Sequence, residues 1–255
     1  MMISPTPWLP GCAEVESRQL RLFCLPYAGS SAAAFRGWQS LLPRSVGVCP
    51  IQLPSRGSRL RETPYYELRL LVAAIARAIR PRLGSPFAFF GHSMGAVISF
   101  ELCRHLREES LPGPIGLFVS GRRAPQLPET MAPLHVLSDK ELLNRIQALD
   151  GTPREILDCP DLVRIILPAL RADLQMVETY RYSEGARLSC PIIAFAGRDD
   201  HTATVLEMDA WRLQTESTFS LTAFAGNHFF VKSAQADLLH KLSDDLGRLW
   251  PGTCG

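Results

Sequence analysis

The chain has 255 residues, enough for one large α/β domain or two small ones, with a substantial core. It is 46% apolar and 20% charged, so it reads as an ordinary globular protein and not as a disordered one. A net charge of +2 gives no argument for nucleic acid, although a local basic patch for an acidic protein partner stays open.

No apolar run reaches the length that spans a bilayer, so no membrane segment is expected. The opening MMISPTPWLPGCAEVESRQL lacks a charged n-region followed by a continuous apolar stretch, and does not read as a signal peptide. Seven cysteines are scattered without a CxxC pair, which leaves a zinc or redox site unsupported. Cys24, Cys49, Cys103 and Cys190 sit among apolar residues and are expected as buried free thiols. The cytoplasm is the default location.

In chain order, residues 1 to about 18 read as a loose leader. Leu20 to Pro26 is a predicted strand, followed by the small-residue loop Tyr27-Ala28-Gly29-Ser30-Ser31. A helix is expected over Phe35 to Leu42 and a strand over Val46 to Leu53, with a turn at Pro54 to Ser58. Apolar residues at helical spacing (Leu68, Leu71, Val72, Ile75, Ile79) predict a helix between Tyr66 and Leu83. Pro86 to Phe90 is a short strand, Met94 to Leu106 a helix, and Ile115 to Ser120 a further buried strand. This alternation argues for a mostly parallel, doubly wound sheet covered on both faces.

The rhythm breaks after Arg123. Residues 126 to about 186 carry no convincing strand. Ser138-Asp139-Lys140-Glu141 resembles a capping box, and Leu162 to Tyr180 is helical in pattern. This helical insertion is the natural lid of a single domain spanning 1–255. The α/β pattern then resumes with a strand at 191–197, a helix from Val205 to Gln214, a strand from Phe219 to Phe224 and a helix from Ala234 to Leu249.

The chemistry centres on Gly91-His92-Ser93-Met94-Gly95, where a strand runs directly into a helix. A bare G-x-S-x-G arises by chance, but this strand-to-helix setting is the one in which a serine becomes a nucleophile. A serine hydroxyl needs a base within reach, a third group to orient that base, and donors aimed at the developing oxyanion. In this fold the order is serine, acid, histidine. Asp199 and Asp200 follow the strand at 191–197, and His228 follows the strand at 219–224. Both therefore fall where a doubly wound sheet places its site. Of six histidines, His228 is the best-placed base. His92, His105, His135, His201 and His240 read as packing, helix or loop residues. Adjacent aspartates point differently, so one of the pair faces the imidazole and the other caps a helix or meets solvent. The oxyanion donors are expected to be the N–H groups of Met94 and Ala28.

With these residues in place, the chain resembles the type II thioesterases, free-standing α/β-hydrolases that accompany modular peptide, polyketide and fatty acid synthases. The resemblance runs from about Arg21 to Leu249. It is carried by Leu25-Pro26-Tyr27-Ala28-Gly29-Ser30, Leu53-Pro54-Ser55-Arg56-Gly57, Phe90 to Ala96, Gly151-Thr152-Pro153, Leu170-Arg171-Ala172-Asp173-Leu174, Ala210-Trp211 and Gly226-Asn227-His228-Phe229-Phe230. It implies Ser93 as nucleophile and His228 as base. In that family the acid sits three residues after the strand-end glycine, here Gly197, which favours Asp200. The family often has glycine where this chain has Ser30, Ser55 and Asn227, and proline where it has His201.

The resemblance implies hydrolysis of acyl thioesters on the phosphopantetheine arm of carrier domains, clearing wrong or stalled acyl groups, with no metal or bound cofactor. Leu167, Leu170, Leu174 and Met176 are candidate linings of an acyl pocket. Arg56, Arg59, Arg61, Arg122 and Arg123 are candidates for steering an acidic carrier domain, or else plain surface charge. A general carboxylesterase or lipase and a non-catalytic synthase scaffold are the rival readings. A monomer is the default.

Overall fold

A computed structural model describes residues 6–12, 18–148 and 159–251. Six strands, β1 (Leu20–Leu25), β2 (Val46–Pro50), β3 (Phe87–His92), β4 (Leu117–Ser120), β5 (Ile192–Gly197) and β6 (Phe219–Phe224), form one sheet in the order β2-β1-β3-β4-β5-β6. Every pairing is parallel. Alternation along the strands splits the core in two. Phe23, Leu25, Phe87, Phe89, Leu117 and Ile192 face one side; Leu22, Cys24, Ala88, Phe90, Phe118 and Ile193 face the other.

Eight α-helices are described: α1 (Trp38–Leu41), α2 (Leu68–Ile79), α3 (Met94–Glu108), α4 (Asp139–Ala148), α5 (Pro160–Glu178), α6 (Val205–Asp209), α7 (Phe230–Ser233) and α8 (Gln235–Leu249). The apolar stripe of α2 and the buried face of α3 cover the first side, while α1 and α8 cover the second. Both faces of the sheet are thus sealed, which is why its strands read as unbroken apolar runs.

Several boundaries differ from expectation for local reasons. The helix expected over Phe35 to Leu42 is broken at Gly37, whose φ of +83° interrupts the turn between a short 3₁₀ segment and α1. The helix expected over Val205 to Gln214 is α-helical only to Asp209 and tightens to 3₁₀ beyond it. The expected loose leader is anchored where it is described. Leu9 and Cys12 are buried, the Trp8 carbonyl accepts from Gln52 N–H at 2.8 Å, and the Arg59 guanidinium lies 3.9 Å from the Trp8 ring centroid.

Between β4 and β5 the described chain contributes α4 and α5. Ser138 caps α4, with its N–H donating to Glu141 and its hydroxyl accepting from the Glu141 amide. Leu142, Ile146, Leu167 and Leu170 make a small apolar core of their own over Ala28. The Gly151-Thr152-Pro153 signature lies outside the described residues. Among the described residues, no helix is long and apolar enough to cross a membrane.

Candidate active site

Strand order reverses between β1 and β3, so the loops that leave these strands lie side by side at the carboxyl edge of the sheet. Ser93 stands between β3 and α3 with φ +53° and ψ −115°, a conformation costly for a residue with a side chain. Its N–H donates to the Ser120 carbonyl at 2.8 Å, which fixes the turn to β4. The two glycines are needed for space. A Cβ on Gly91 would lie 2.1 Å from the Gly95 carbonyl oxygen, and one on Gly95 would lie 2.1 Å from that of Leu25. Both obstacles are backbone. Gly95→Ala is therefore expected to distort or unfold the elbow, read as loss of soluble protein or of Ser93 labelling by a serine-directed phosphonate. A soluble variant labelled at the wild-type rate would contradict this geometry.

The structure brings Ser93, His228 and Asp200 together. His228 Nε2 lies 3.0 Å from Ser93 Oγ, and His228 Nδ1 lies 2.8 Å from Asp200 Oδ2. With the carboxylate accepting from Nδ1–H, Nε2 is left free to accept the serine proton. Of the adjacent aspartates, Asp199 is exposed and Asp200 is 3% exposed. The cap of α6 comes from Thr204 and Glu207, not from Asp199.

Sequence reasoning missed Thr202. Its hydroxyl donates to Asp200 Oδ1 at 2.7 Å, its amide donates to the same oxygen at 2.8 Å, and its Oγ1 lies 2.9 Å from His228 Nδ1. It steadies carboxylate and imidazole at once. The available signal was its spacing: a threonine two residues after an aspartate can close a local side-chain turn. Burial by itself would raise the Asp200 carboxyl. The hydrogen bond and charge of His228, with the Thr202 donors, outweigh it and hold the group below the usual carboxylate range.

Ala28 and Met94 line one small cavity with Ser93 and His228. Met94 opens α3, so its N–H has no carbonyl one turn earlier. His92 is fully buried at the end of β3. Its Nδ1 meets Ser120 Oγ at 2.9 Å and its ring lies 5.1 Å from that of His228. Burial, then the charge of His228, keeps it well below the usual histidine range, so it packs as a neutral ring. His135 pairs with Glu178 at 2.5 Å, and His201 is exposed.

Two spaces meet at Ser93. One is the cavity just described. The other is a cleft of about 610 Å³ beneath α5, lined by Tyr27, Ile166, Leu170, Leu174 and Phe229. Of the four expected lining residues, Leu170 and Leu174 face this cleft, whereas Leu167 and Met176 are packed in apolar clusters. The arginines expected to steer a partner are mostly withdrawn. Arg56, Arg59 and Arg123 are buried, Arg122 is partly buried, and Arg61 alone of the five is exposed. Each buried guanidinium has a carboxylate partner: Asp173, Glu62 and Glu207 respectively. Among the described residues, no cluster of three or more potential metal ligands is present.

Comparison with known proteins agrees with this architecture. Residues 20–246 match the family model described as a thioesterase domain. The chain is 40% identical over 239 residues to the gramicidin S biosynthesis protein GrsT of Aneurinibacillus migulanus, covering 94% of this chain and 93% of that one. Among solved structures, RedJ, the thioesterase of the prodiginine pathway in Streptomyces coelicolor, superposes with a TM-score of 0.85 at 42% identity, covering 89% of this chain and 91% of that one. BorB, the type II thioesterase of the borrelidin biosynthetic cluster, superposes with a TM-score of 0.83 at 37% identity, with 89% and 93% covered. Fold, matched length and these similarities lead to one conclusion: the chain belongs to the thioesterase domain family, among its type II members.

Proposed function

We propose that the protein hydrolyses acyl thioesters carried on the phosphopantetheine arm of synthase carrier domains, clearing misprimed or stalled acyl groups. The observation that carries this reading is the chain of hydrogen bonds Asp200–His228–Ser93, at 2.8 and 3.0 Å. Support for the partner comes from relatives named for gramicidin S, prodiginine and borrelidin biosynthesis.

Ser93 Oγ attacks the thioester carbonyl as His228 Nε2 takes its proton. The N–H groups of Ala28 and Met94 receive the oxyanion. The carbon–sulfur bond breaks, and the thiolate of the arm leaves and takes the proton from the His228 imidazolium, which returns the imidazole to its neutral form. A thiolate is a tolerable leaving group, so little protonation is required. Water, deprotonated by His228, then attacks the Ser93 ester; the acyl–Oγ bond breaks, the imidazolium returns the proton to Ser93 Oγ, and the acid is released. Asp200 holds the imidazole in its tautomer and stabilises the imidazolium. No bound cofactor or metal takes part in this scheme. The reading includes action as a monomer in the cytoplasm.

The test is acid release from acyl-phosphopantetheinyl carrier protein, with a matched oxygen ester and Ser93→Ala as controls. The expected result is preference for the carrier substrate and no turnover by Ser93→Ala. Preference for the oxygen ester would make the protein a general esterase. Failure to turn over any chain length, with no phosphonate labelling of Ser93, would favour a scaffold role.

A further inference from the structure

The cavity that opens on Ser93 is small, about 120 Å³, and it is charged. Beside Ala28, Met94 and Leu174 its walls include Arg122, Glu129 and Glu178. It shares these three residues and Arg123 with a wider chamber of about 590 Å³ that reaches Gln126, Tyr180 and the exposed Arg181, whose guanidinium donates to the Glu178 and Tyr180 carbonyls at 3.0 and 2.9 Å. An acyl group attached to Ser93 and directed this way meets ionic side chains of both signs, whereas the cleft beneath α5 is mostly apolar, with Arg56 and Lys232 among its lining residues.

The charged groups of this chamber are unequally satisfied. Glu178 accepts from Leu134 N–H at 2.8 Å and His135 N–H at 3.0 Å, and also pairs with the His135 ring. Glu129 Oε1 accepts from the Thr130 and Met131 amides at 3.0 and 3.2 Å, and from Arg123. Arg123 itself is committed to Glu207 at 2.6 Å and to Thr130 Oγ1 at 2.9 Å. Arg122 is different. Among the described residues, its guanidinium donates one long bond, 3.4 Å to Glu129 Oε2, although the side chain is only 21% exposed. A guanidinium has five donors in a rigid fork. Spare hydrogen-bonding capacity in the chamber is therefore left on the Arg122 guanidinium and on Glu129 Oε2, whose bond is that same long one, and an incoming carboxylate competes with Glu129 for the Arg122 fork. Burial pulls the Arg122 guanidinium below its usual range against the opposing charge of Glu129, as expected for a cation with a loose counter-charge.

We infer that Arg122 selects acyl groups bearing an anionic oxygen function, a carboxylate foremost, by taking it in a forked hydrogen bond at the wall shared by the small cavity that opens on Ser93 and the wider chamber beside it. This rests on the thioester-hydrolase reading above. A short ω-carboxyacyl group fits the arrangement, with its thioester carbonyl at Ser93 and its carboxylate at Arg122, where two parallel charge-assisted bonds form. The phosphate of the pantetheine arm offers similar chemistry. It is two amide units away from the thioester sulfur, whereas Arg122 and Ser93 wall the same small cavity.

The experiment compares succinyl with its neutral isostere 4-methylpentanoyl. Each is presented on N-acetylcysteamine, which has no phosphate, and on phosphopantetheinyl carrier protein. Wild type and Arg122→Leu are assayed, with the unfolding midpoint and Ser93 phosphonate labelling recorded for both. The readout is the succinyl to 4-methylpentanoyl ratio of kcat/KM. It is expected to favour succinyl in the wild type and to fall by on the order of tenfold or more in Arg122→Leu, on both leaving groups. If Arg122→Leu does not fold, Arg122→Gln carries the same test. Arg122→Lys, a point charge without the fork, is expected to keep part of the preference. A ratio that does not change overturns the inference while hydrolysis of either acyl group leaves the thioesterase reading standing. Loss confined to phosphate-bearing substrates, whatever the acyl group, overturns it in favour of a phosphate contact. Absence of turnover on all four wild-type substrates overturns the hydrolase reading and this inference with it.

Discussion

Replacing His228 by alanine is expected to lower kcat on an acyl-carrier substrate by on the order of 10⁴- to 10⁶-fold. The reason is local. Among the described residues, His228 Nε2 is the basic nitrogen within hydrogen-bond distance of Ser93 Oγ, at 3.0 Å. Without it the hydroxyl keeps its proton and the acyl-enzyme has no base to activate water. Asp200→Asn is expected to cost about 10⁴-fold, because an amide presented to Nδ1 no longer enforces the tautomer that leaves Nε2 free to accept. Asp199→Asn is the internal contrast. Its side chain is exposed and does not touch the imidazole, so activity should stay within about twofold of wild type. Burst and steady-state rates of thiol release, measured on all three variants with circular dichroism to show folding, check the set. An Asp199→Asn variant as damaged as Asp200→Asn, or a His228→Ala variant within tenfold of wild type, would remove the triad from the mechanism.

Much of this site was legible in the sequence because its signals are local. An apolar run of strand length followed by Gly-x-Ser-x-Gly and a helix specifies an elbow. The strands at 191–197 and 219–224 place an acid and a histidine at the same sheet edge. The adjacent aspartates were separated by the family spacing from Gly197, which favoured Asp200; in the structure Asp200 is buried with Oδ2 2.8 Å from His228 Nδ1, and Asp199 is exposed. What escaped depends on contacts distant in sequence. Trp8 to Cys12 looks loose because nothing local orders it, yet Gln52 and Arg59 hold Trp8 across more than 40 intervening residues. Ser55, where the family resemblance implies glycine, takes φ +65°, so the turn keeps its left-handed conformation with a less suited residue. Arg56 reads as surface charge because its partner, Asp173, lies 117 residues away.

That pair carries the second large effect. Arg56 Nη2 donates to Asp173 Oδ1 at 2.8 Å, and Nη1 donates to Oδ2, with both side chains almost wholly buried. Asp173 Oδ2 also accepts the Gly29 N–H at 2.8 Å, while Arg56 Nε donates to the Pro54 carbonyl at 3.0 Å. The carboxylate on α5 thus ties the loops after β1 and β2 to the insertion. Asp173→Ala leaves a buried guanidinium without its counter-charge and an amide without its acceptor, and is expected to cost about 3–5 kcal/mol of stability. For a chain of this size that corresponds to a fall in Tm of about 10 °C. Asp173 makes no hydrogen bond to Ser93, His228 or Asp200, so the folded fraction should still be labelled at Ser93. The double variant Arg56→Met with Asp173→Leu removes both charges together and is expected to regain part of the loss, because no ion is left stranded in the interior. Thermal and urea unfolding of Arg56→Met, Asp173→Leu and the double variant measure the coupling. A single variant that melts within 2 °C of wild type, an order-of-magnitude bound of roughly 1 kcal/mol, would mean that the pair does not fasten the insertion to the sheet.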